Sequence, residues 1–296
     1  AARGGIYNVD SLADFLAAGK IGAVGLDVWE NEPCTGSPLH EFPNAILTPH
    51  LGASTKEAQL RAGVQTAEYV AAGLAGSIVP TAVNMAPVPP EVMDAVGPYV
   101  PACQMMGSML AQIHGEVPQY LKLTAAGSLA DADPSILVAG TVKGLLSYQG
   151  RATVTPVNAD AVAQRHGIKV ETQARPDADG YASTVAVMAD GTEVACTRGD
   201  AAQTARLVSL LGYKIDIAPG RQSLIFEYVD APGRMGTIGT ILGEAGINIT
   251  TMQIGAKPAD RCALVYMNVE GEVEDAVLSR LRAEIPELKN LWYVKL

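Results

Sequence analysis

The chain has 296 residues, of which 48% are hydrophobic and 18% charged, and its formal net charge is −10. That length is enough for about two domains or more, and so apolar a composition excludes a disordered chain. An acidic chain without a long basic stretch is not built to grip a phosphate backbone, and no apolar run approaches the roughly 18 residues of a bilayer span.

The chain opens on AARGG, small residues leading into a turn. That reads as the interior of a domain, so the chain is expected to be the C-terminal piece of something longer. SLADFLAAG (11–19) has a Ser cap, an apolar face and a Gly stop, and predicts a short helix. IGAVGLDVW is a near-continuous small and β-branched run, as in a buried parallel strand. AILTPH predicts a second strand ended by Pro49. STKEAQLRAGVQTAEYVAAGLAG predicts a helix with a capping box of Ser54 and Glu57. This order suggests the tail of a parallel α/β domain over residues 1–76.

Residues 77–90 are Pro-rich, break all periodicity and predict a linker. Residues 91–220 mix helices (102–114, 135–148, 158–166) with strand-like VPQYLKLTAAG, YASTVAVMA and TEVACTRG. The Asp-Gly between the last two is a hairpin signal, and the section predicts an α+β domain. Residues 221–296 run strand, helix, strand, strand, helix, strand, a βαββαβ ferredoxin-like plan. Its first helix puts Met235, Ile238, Ile241, Leu242 and Ala245 on one face.

Three residues near the start carry chemistry: Arg3, Glu32 and His50. Each sits in a loop beside a strand-like run, and open α/β sheets gather ligands beyond the carboxyl ends of their strands. An imidazole titrates near neutral pH and passes a proton either way. A carboxylate beside it fixes one tautomer, and a guanidinium offers a fork of donors for a substrate carboxylate. Together they describe a site for a 2-hydroxy or 2-oxo acid. His40, His114 and His166 have no comparable context and read as structural. Ser54 has no G-x-S-x-G around it and reads as a helix cap. Cys34, Cys103, Cys196 and Cys262 form no CxxC pair and read as reduced thiols of a cytoplasmic protein, so neither a metal site nor a disulfide frame is expected. No G-x-G-x-x-G links a strand to a helix; a dinucleotide enzyme would have its phosphate-binding half elsewhere.

The stretches AARGG…VD, GKIGAVGLDVWENEP, SPLHEFPNAILTPHLGAST and IVPTAVN, in this order, resemble the C-terminal part of the catalytic unit of the NAD-dependent D-2-hydroxyacid dehydrogenases. The resemblance implies that His50 is the acid/base, that Glu32 pairs with it and that Arg3 binds the substrate carboxylate. Asp27 matches a position on the nicotinamide side of NAD. Residues 91–220 resemble the intervening domain of the family's long, phosphoglycerate-oxidising branch, and residues 221–296 resemble an ACT domain, a small-molecule sensor. The fold implied is the tail of a Rossmann-like parallel α/β domain, an α+β intervening domain and a ferredoxin-like ACT domain.

The activity implied is NAD-dependent oxidation of 3-phosphoglycerate to 3-phosphohydroxypyruvate, the entry to serine synthesis. Tyr228, Asp230 and Asn248 match positions that bind an amino-acid effector such as L-serine, with Gly233 and Gly236 letting backbone approach it. ACT domains pair, so a homodimer or tetramer is implied. Arg206, Lys214 and Arg221 are candidate anion-binding residues of the intervening domain, with Ala218 where another basic residue is expected. The family's cofactor loop and phosphate grip fall before Ala1, so this chain alone is expected to be inactive. Two alternatives stay open: another D-2-hydroxyacid dehydrogenase carrying a sensor domain, and a non-catalytic amino-acid-binding module.

Overall fold

The computed structural model describes residues 3–75, 79, 81–83, 90–148, 150, 154–155, 157–198, 204–257 and 261–296. The chain divides at Val79–Pro80 into two compact units. Most of the predicted linker (77, 78, 80 and 84–89) lies outside the described residues.

The first unit holds helix α1 (Val9–Ala17), strand β1 (Val24–Leu26), a short 3-10 turn (Pro38–Glu41), strand β2 (Ala45–Leu47) and helix α2 (Lys56–Leu74). β1 and β2 pair in parallel, Val24 opposite Ala45 and Leu26 opposite Leu47. Ala13, Leu16, Leu26, Trp29 and Leu39 form the core.

Both helices here start elsewhere than the sequence predicts. α1 is capped by Asn8, whose side chain accepts from the Ser11 N–H, so it begins earlier than Ser11. α2 is capped by Thr55, which accepts from Ala58 N, and not by the expected Ser54–Glu57 box. Asn and Thr cap as well as Ser, so residue type alone does not select among neighbours. The predicted strand over IGAVGLDVW is confined to three residues, because Asp27 leaves the ladder to bind the loop after β2.

The second unit begins with helices α3 (Pro90–Val96) and α4 (Val100–His114), strand β3 (Tyr120–Gly127), and helices α5 (Ser135–Tyr148) and α6 (Ala159–Arg165). Five strands follow: β4 (Lys169–Arg175), β5 (Ser183–Ala189), β6 (Thr192–Arg198), β7 (Ala205–Leu210) and β8 (Tyr213–Ile217). They form one sheet in the order β4-β3-β5-β6-β7-β8, with β3 parallel to β4 and the other pairs antiparallel. The Asp-Gly signal is where it was read: Asp190 (φ 42°) and Gly191 (φ 88°) turn β5 into β6, the left-handed pair of a type I′ hairpin. β4, β7 and β8 go unread in the sequence; β4, KVETQAR, is an exposed edge without apolar alternation.

α4 and α5 touch through glycine. A β-carbon on Gly144 would stand 1.8 Å from the Gln104 carbonyl oxygen, and one on Gly107 would stand 2.1 Å from that of Thr141.

The last section is β9 (Gln222–Val229), α7 (Arg234–Glu244), β10 (Asn248–Lys257), β11 (Cys262–Glu270), α8 (Asp275–Glu284) and β12 (Leu288–Lys295). Its antiparallel sheet runs β10-β11-β9-β12, the ferredoxin-like arrangement expected from βαββαβ. Leu224, Phe226, Tyr228, Ala263, Val265 and Met267 bury one face under Ile238, Ile241 and Leu242 of α7 and Leu278 and Leu281 of α8. Ala245, expected on that helix face, lies past the end of α7 and is exposed.

The opposite face is equally dry. Ile225, Leu264 and Tyr266 point away from the helices and are wholly buried. The preceding domain meets this sheet through specific bonds: Tyr213 Oη donates to Glu227 (2.9 Å), Lys257 Nζ to the Leu211 carbonyl (2.7 Å) and Trp292 Nε1 to the Ile113 carbonyl (3.2 Å). Gln112 both donates to the Lys295 carbonyl and accepts from its N–H, each at 2.8 Å. Asn268, at the centre, accepts from Gly220 N (2.7 Å) and donates to the Ala218 carbonyl (2.8 Å). It clamps the connecting segment to the sheet.

The α4–α5 contact gives a paired test. Gly144→Ala should destabilise the second unit by about 1–3 kcal/mol or more through overpacking. Gly239→Ala, in α7 with nothing within 4 Å of the new methyl, should stabilise it by up to about 1 kcal/mol through helix propensity. Thermal denaturation reads both; equal effects would contradict the close helix contact.

Candidate active site

Asp27 follows β1 and Thr48 follows β2 directly, so both lie at the carboxyl ends of parallel strands. The Asp27 carboxylate gathers the loop after β2. It accepts from Thr48 Oγ1 (2.5 Å), Leu51 N (2.7 Å) and Gly52 N (2.8 Å). A β-carbon on Gly52 would stand 2.9 Å from Asp27 Oδ2, so the backbone approaches this closely only without one. The Trp29 indole adds a bond to the Thr48 carbonyl (3.0 Å). Between these anchors His50 is held at φ 62°, a backbone region uncommon for residues other than glycine and of a kind that clusters at functional sites.

That loop presents His50 to Glu32. Glu32 Oε1 accepts from Trp29 N (2.9 Å), and Oε2 lies 2.9 Å from His50 Nδ1. Both side chains are partly exposed, His50 at 42% and Glu32 at 36%. The His50 hydrogen bond, with the Trp29 N–H behind it, holds the Glu32 carboxyl below its ordinary range. A carboxylate only accepts, so Nδ1 carries the proton and Nε2 is left to exchange one. The Thr48 hydroxyl and the Leu51 N–H likewise lower the Asp27 carboxyl.

Arg3 is exposed, one residue before Gly4, whose α-carbon lies against the next loop: a β-carbon there would stand 2.2 Å from the Trp29 carbonyl oxygen. This close approach brings the Arg3 backbone beside the segment that carries Glu32. The part of Asp27 in shaping the loop was not legible, because its partners lie 21 to 25 residues away. An acidic residue directly at the end of a strand-like run is the signal that could have pointed to it.

The predicted effector residues are spread out. Tyr228 is buried in the last domain's core, its hydroxyl 3.5 Å from Met235 Sδ. Asp230 is exposed beyond β9, its N–H bound to the Arg261 carbonyl (2.8 Å). Asn248 is exposed at the start of β10, its amide donating to Glu270 (3.2 Å). Val229 pairs with Cys262 and Asn248 with Glu270. Asp230 and Asn248 therefore stand toward opposite ends of β11, eight residue steps or about 27 Å apart at ~3.4 Å per residue.

Of the basic residues of the intervening section, Arg206 is engaged by Asp216 (2.6 Å). Lys214 lines a cavity of about 310 Å³ with Arg175, Tyr181 and Glu193, and Arg221 is exposed. Ala218 offers its carbonyl to Asn268. Cys34, Cys103 and Cys196 carry free thiols. Among the described residues no group of three or more His, Cys, Asp or Glu could hold a metal, and no helix is long and apolar enough to cross a membrane.

Known proteins match this chain section by section. Residues 1–52 match the NAD binding domain of the D-isomer specific 2-hydroxyacid dehydrogenases, residues 95–207 the D-3-phosphoglycerate dehydrogenase intervening domain, and residues 222–286 the ACT domain. The first match is to a domain of the NAD-linked 2-hydroxyacid dehydrogenases. The three domains in this order match the C-terminal part of the long form of D-3-phosphoglycerate dehydrogenase.

The chain is 37% identical over 300 residues to the D-3-phosphoglycerate dehydrogenase of Mycobacterium leprae, covering 98% of this chain and 56% of that one. It is 36% identical to that of Mycobacterium tuberculosis (98% and 55%) and 32% identical to that of Synechocystis (99% and 54%). The chain thus spans about half the length of the curated relatives it matches.

The carboxyls give a test with a definite sign. A carboxyl whose folded-state value is depressed stabilises the fold above its ordinary value, and that stabilisation is lost as pH falls through the depressed one. Asp27 and Glu32 should therefore hold the His50 loop through the ordinary carboxylate range and release it only below. In a carboxyl NMR titration Glu32 should titrate below its ordinary 4.5, and His50→Ala should move it up toward that value. An unchanged Glu32 midpoint in the variant would contradict the pairing.

Proposed function

We propose that this chain supplies the acid–base machinery and the sensor of an NAD-dependent oxidation of 3-phosphoglycerate to 3-phosphohydroxypyruvate, which leads into L-serine synthesis. The observation that carries this reading is the 2.9 Å contact of Glu32 with His50 Nδ1 at the carboxyl ends of a parallel strand pair, where α/β sheets bind their ligands. The phosphoglycerate branch is favoured over other 2-hydroxy acids by the two domains that follow.

In this reading His50 Nε2 takes the proton of the substrate C2 hydroxyl. Glu32 stabilises the imidazolium that results and returns the ring to one tautomer. The exposed Arg3 guanidinium clamps the substrate carboxylate with two parallel hydrogen bonds. Asp27 keeps His50 placed and puts a fixed negative charge on the side where the nicotinamide lies. NAD, when bound, would supply the hydride acceptor for C2. The residues present suit the nicotinamide end of the cofactor; a G-x-G-x-x-G loop for its pyrophosphate is not part of this sequence.

L-serine is the proposed effector. The Asp230 carboxylate suits its ammonium, and the Asn248 amide suits its carboxylate or hydroxyl. Standing toward opposite ends of one strand, these two residues can hold a single ligand only between two chains. The proposed assembly is a homodimer or tetramer, with Tyr228 shaping the end of β9 from within the core. Reduced thiols at Cys34, Cys103 and Cys196 support a cytoplasmic setting.

Joined to a segment carrying the nucleotide loop, His50→Ala should lower kcat by about 10²–10⁴, the usual loss on removing a general acid–base group. Steady-state kinetics with an undiminished kcat would remove His50 from the reaction. For the sensor, Asp230→Ala should weaken serine binding in calorimetry and leave serine-free turnover nearly intact. Equal serine affinity in variant and parent would contradict the assignment.

A further inference from the structure

We propose that Cys262 and Lys289 form a reversible covalent bridge on oxidation by hydrogen peroxide, with one oxygen atom linking Lys289 Nζ to Cys262 Sγ. Lys289 Nζ stands 2.8 Å from Cys262 Sγ. That separation is typical of an N–H···O bond, yet sulfur is the larger atom, and an ordinary contact from nitrogen to sulfur is longer. It is too long for a direct N–S bond and is about what a single bridging oxygen spans.

The fold makes the pair. Cys262 opens β11 opposite Val229 of β9. Lys289 falls at the register shift between Leu288 and Asn290 on β12, the strand on the other side of β9. Its side chain crosses the central strand to reach the sulfur. Cys262 is on the sheet face turned away from α7 and α8, in line with Leu264 and Tyr266. Lys289 is exposed at the end of the sheet while Cys262 is 2% exposed, so a small oxidant meets the pair on the lysine's side. Cys103 and Cys196 offer no comparable chemistry: both are wholly buried, and desolvation pushes the Cys196 thiol up to about 12, which suppresses the reactive thiolate.

The steps balance. Cys262 sulfur attacks one peroxide; the S–O bond forms, the O–O bond breaks and water leaves, giving the sulfenic acid. The unprotonated Lys289 amine attacks a second peroxide; the N–O bond forms and water leaves, giving a hydroxylamine. The hydroxylamine oxygen then attacks sulfur, the S–OH bond breaks and a third water leaves. In sum one thiol, one amine and two peroxides give the bridge and three waters. The chemistry is the analogue, with one oxygen inserted, of the sulfenamide that a sulfenic acid forms with a nearby nitrogen. The bridge would tie β11 to β12 beside Arg261, whose carbonyl receives the Asp230 N–H, so oxidation would stiffen one end of the last domain's sheet. This inference rests on the Cys262–Lys289 geometry and stands apart from the proposed activity.

The test is mass spectrometry of the full chain, with Cys34→Ser to remove the half-buried competitor, after treatment with hydrogen peroxide. The expected product is about 14 Da heavier, one oxygen gained and two hydrogens lost, against about 16 Da for a sulfenic acid, 32 Da for a sulfinic acid and a loss of about 2 Da for a direct N–S bond. Digestion should give a cross-linked peptide containing Cys262 and Lys289, and excess thiol should release it. Lys289→Arg, an exposed change that keeps the charge, and Cys262→Ser should each abolish the product. Absence of the cross-link, a sulfinic acid or an N–S bond in its place, or its survival in Lys289→Arg would overturn the proposal.

Discussion

The first unit's candidate site is shaped by one carboxylate. Asp27 stands at the end of β1 and binds a hydroxyl and two backbone N–H groups from the loop after β2. Without it the loop would keep the Trp29 indole on the Thr48 carbonyl and the Thr48 N–H on the Leu26 carbonyl, and Leu51 and Gly52 would lose their anchor. With it, Leu51 and Gly52 are fixed on one side of His50 and Thr48 on the other. Glu32, itself pinned by Trp29 N, meets the imidazole at Nδ1. Two acceptor-only groups thus divide the work. One shapes the backbone, and the other sets the proton on the ring.

The second unit follows a different constraint, burial of one sheet from both sides. β9 and β11 are dry toward their own helices and dry toward the preceding domain, while β10 is largely exposed. Lys257, Tyr213, Gln112 and Trp292 supply the polar bonds across that junction. Asn268 uses both ends of its amide on the connecting segment.

Much of this was legible in the sequence, for physical reasons that differ by element. The Asp-Gly hairpin was readable because its left-handed pair is a local requirement. The βαββαβ plan was readable because its apolar runs have clear periods. His50 and Glu32 stood out as chemically apt residues in loops beside strands. Other features were hidden. The caps at Asn8 and Thr55 differ from the expected ones by one to three residues, since neighbouring polar side chains compete for the same N–H groups. β4 has no apolar alternation, since both its faces meet solvent. The buried place of Tyr228 follows from its parity with Leu224 and Phe226 on β9, which a reading fixed on the adjacent turn overlooks. The run CALVYMNVE held a signal of the two-sided burial, for near-continuous apolar strands mark sheets covered on both faces.

The central claim is that Glu32 assigns the proton on His50. Nitrogen-15 NMR of the His50 ring tests it directly on this chain. In its neutral form the ring should carry its proton on Nδ1 and leave Nε2 bare, and Glu32→Ala should abolish that preference. A ring protonated on Nε2, or an Nδ1 preference that survives loss of the carboxylate, would contradict the account.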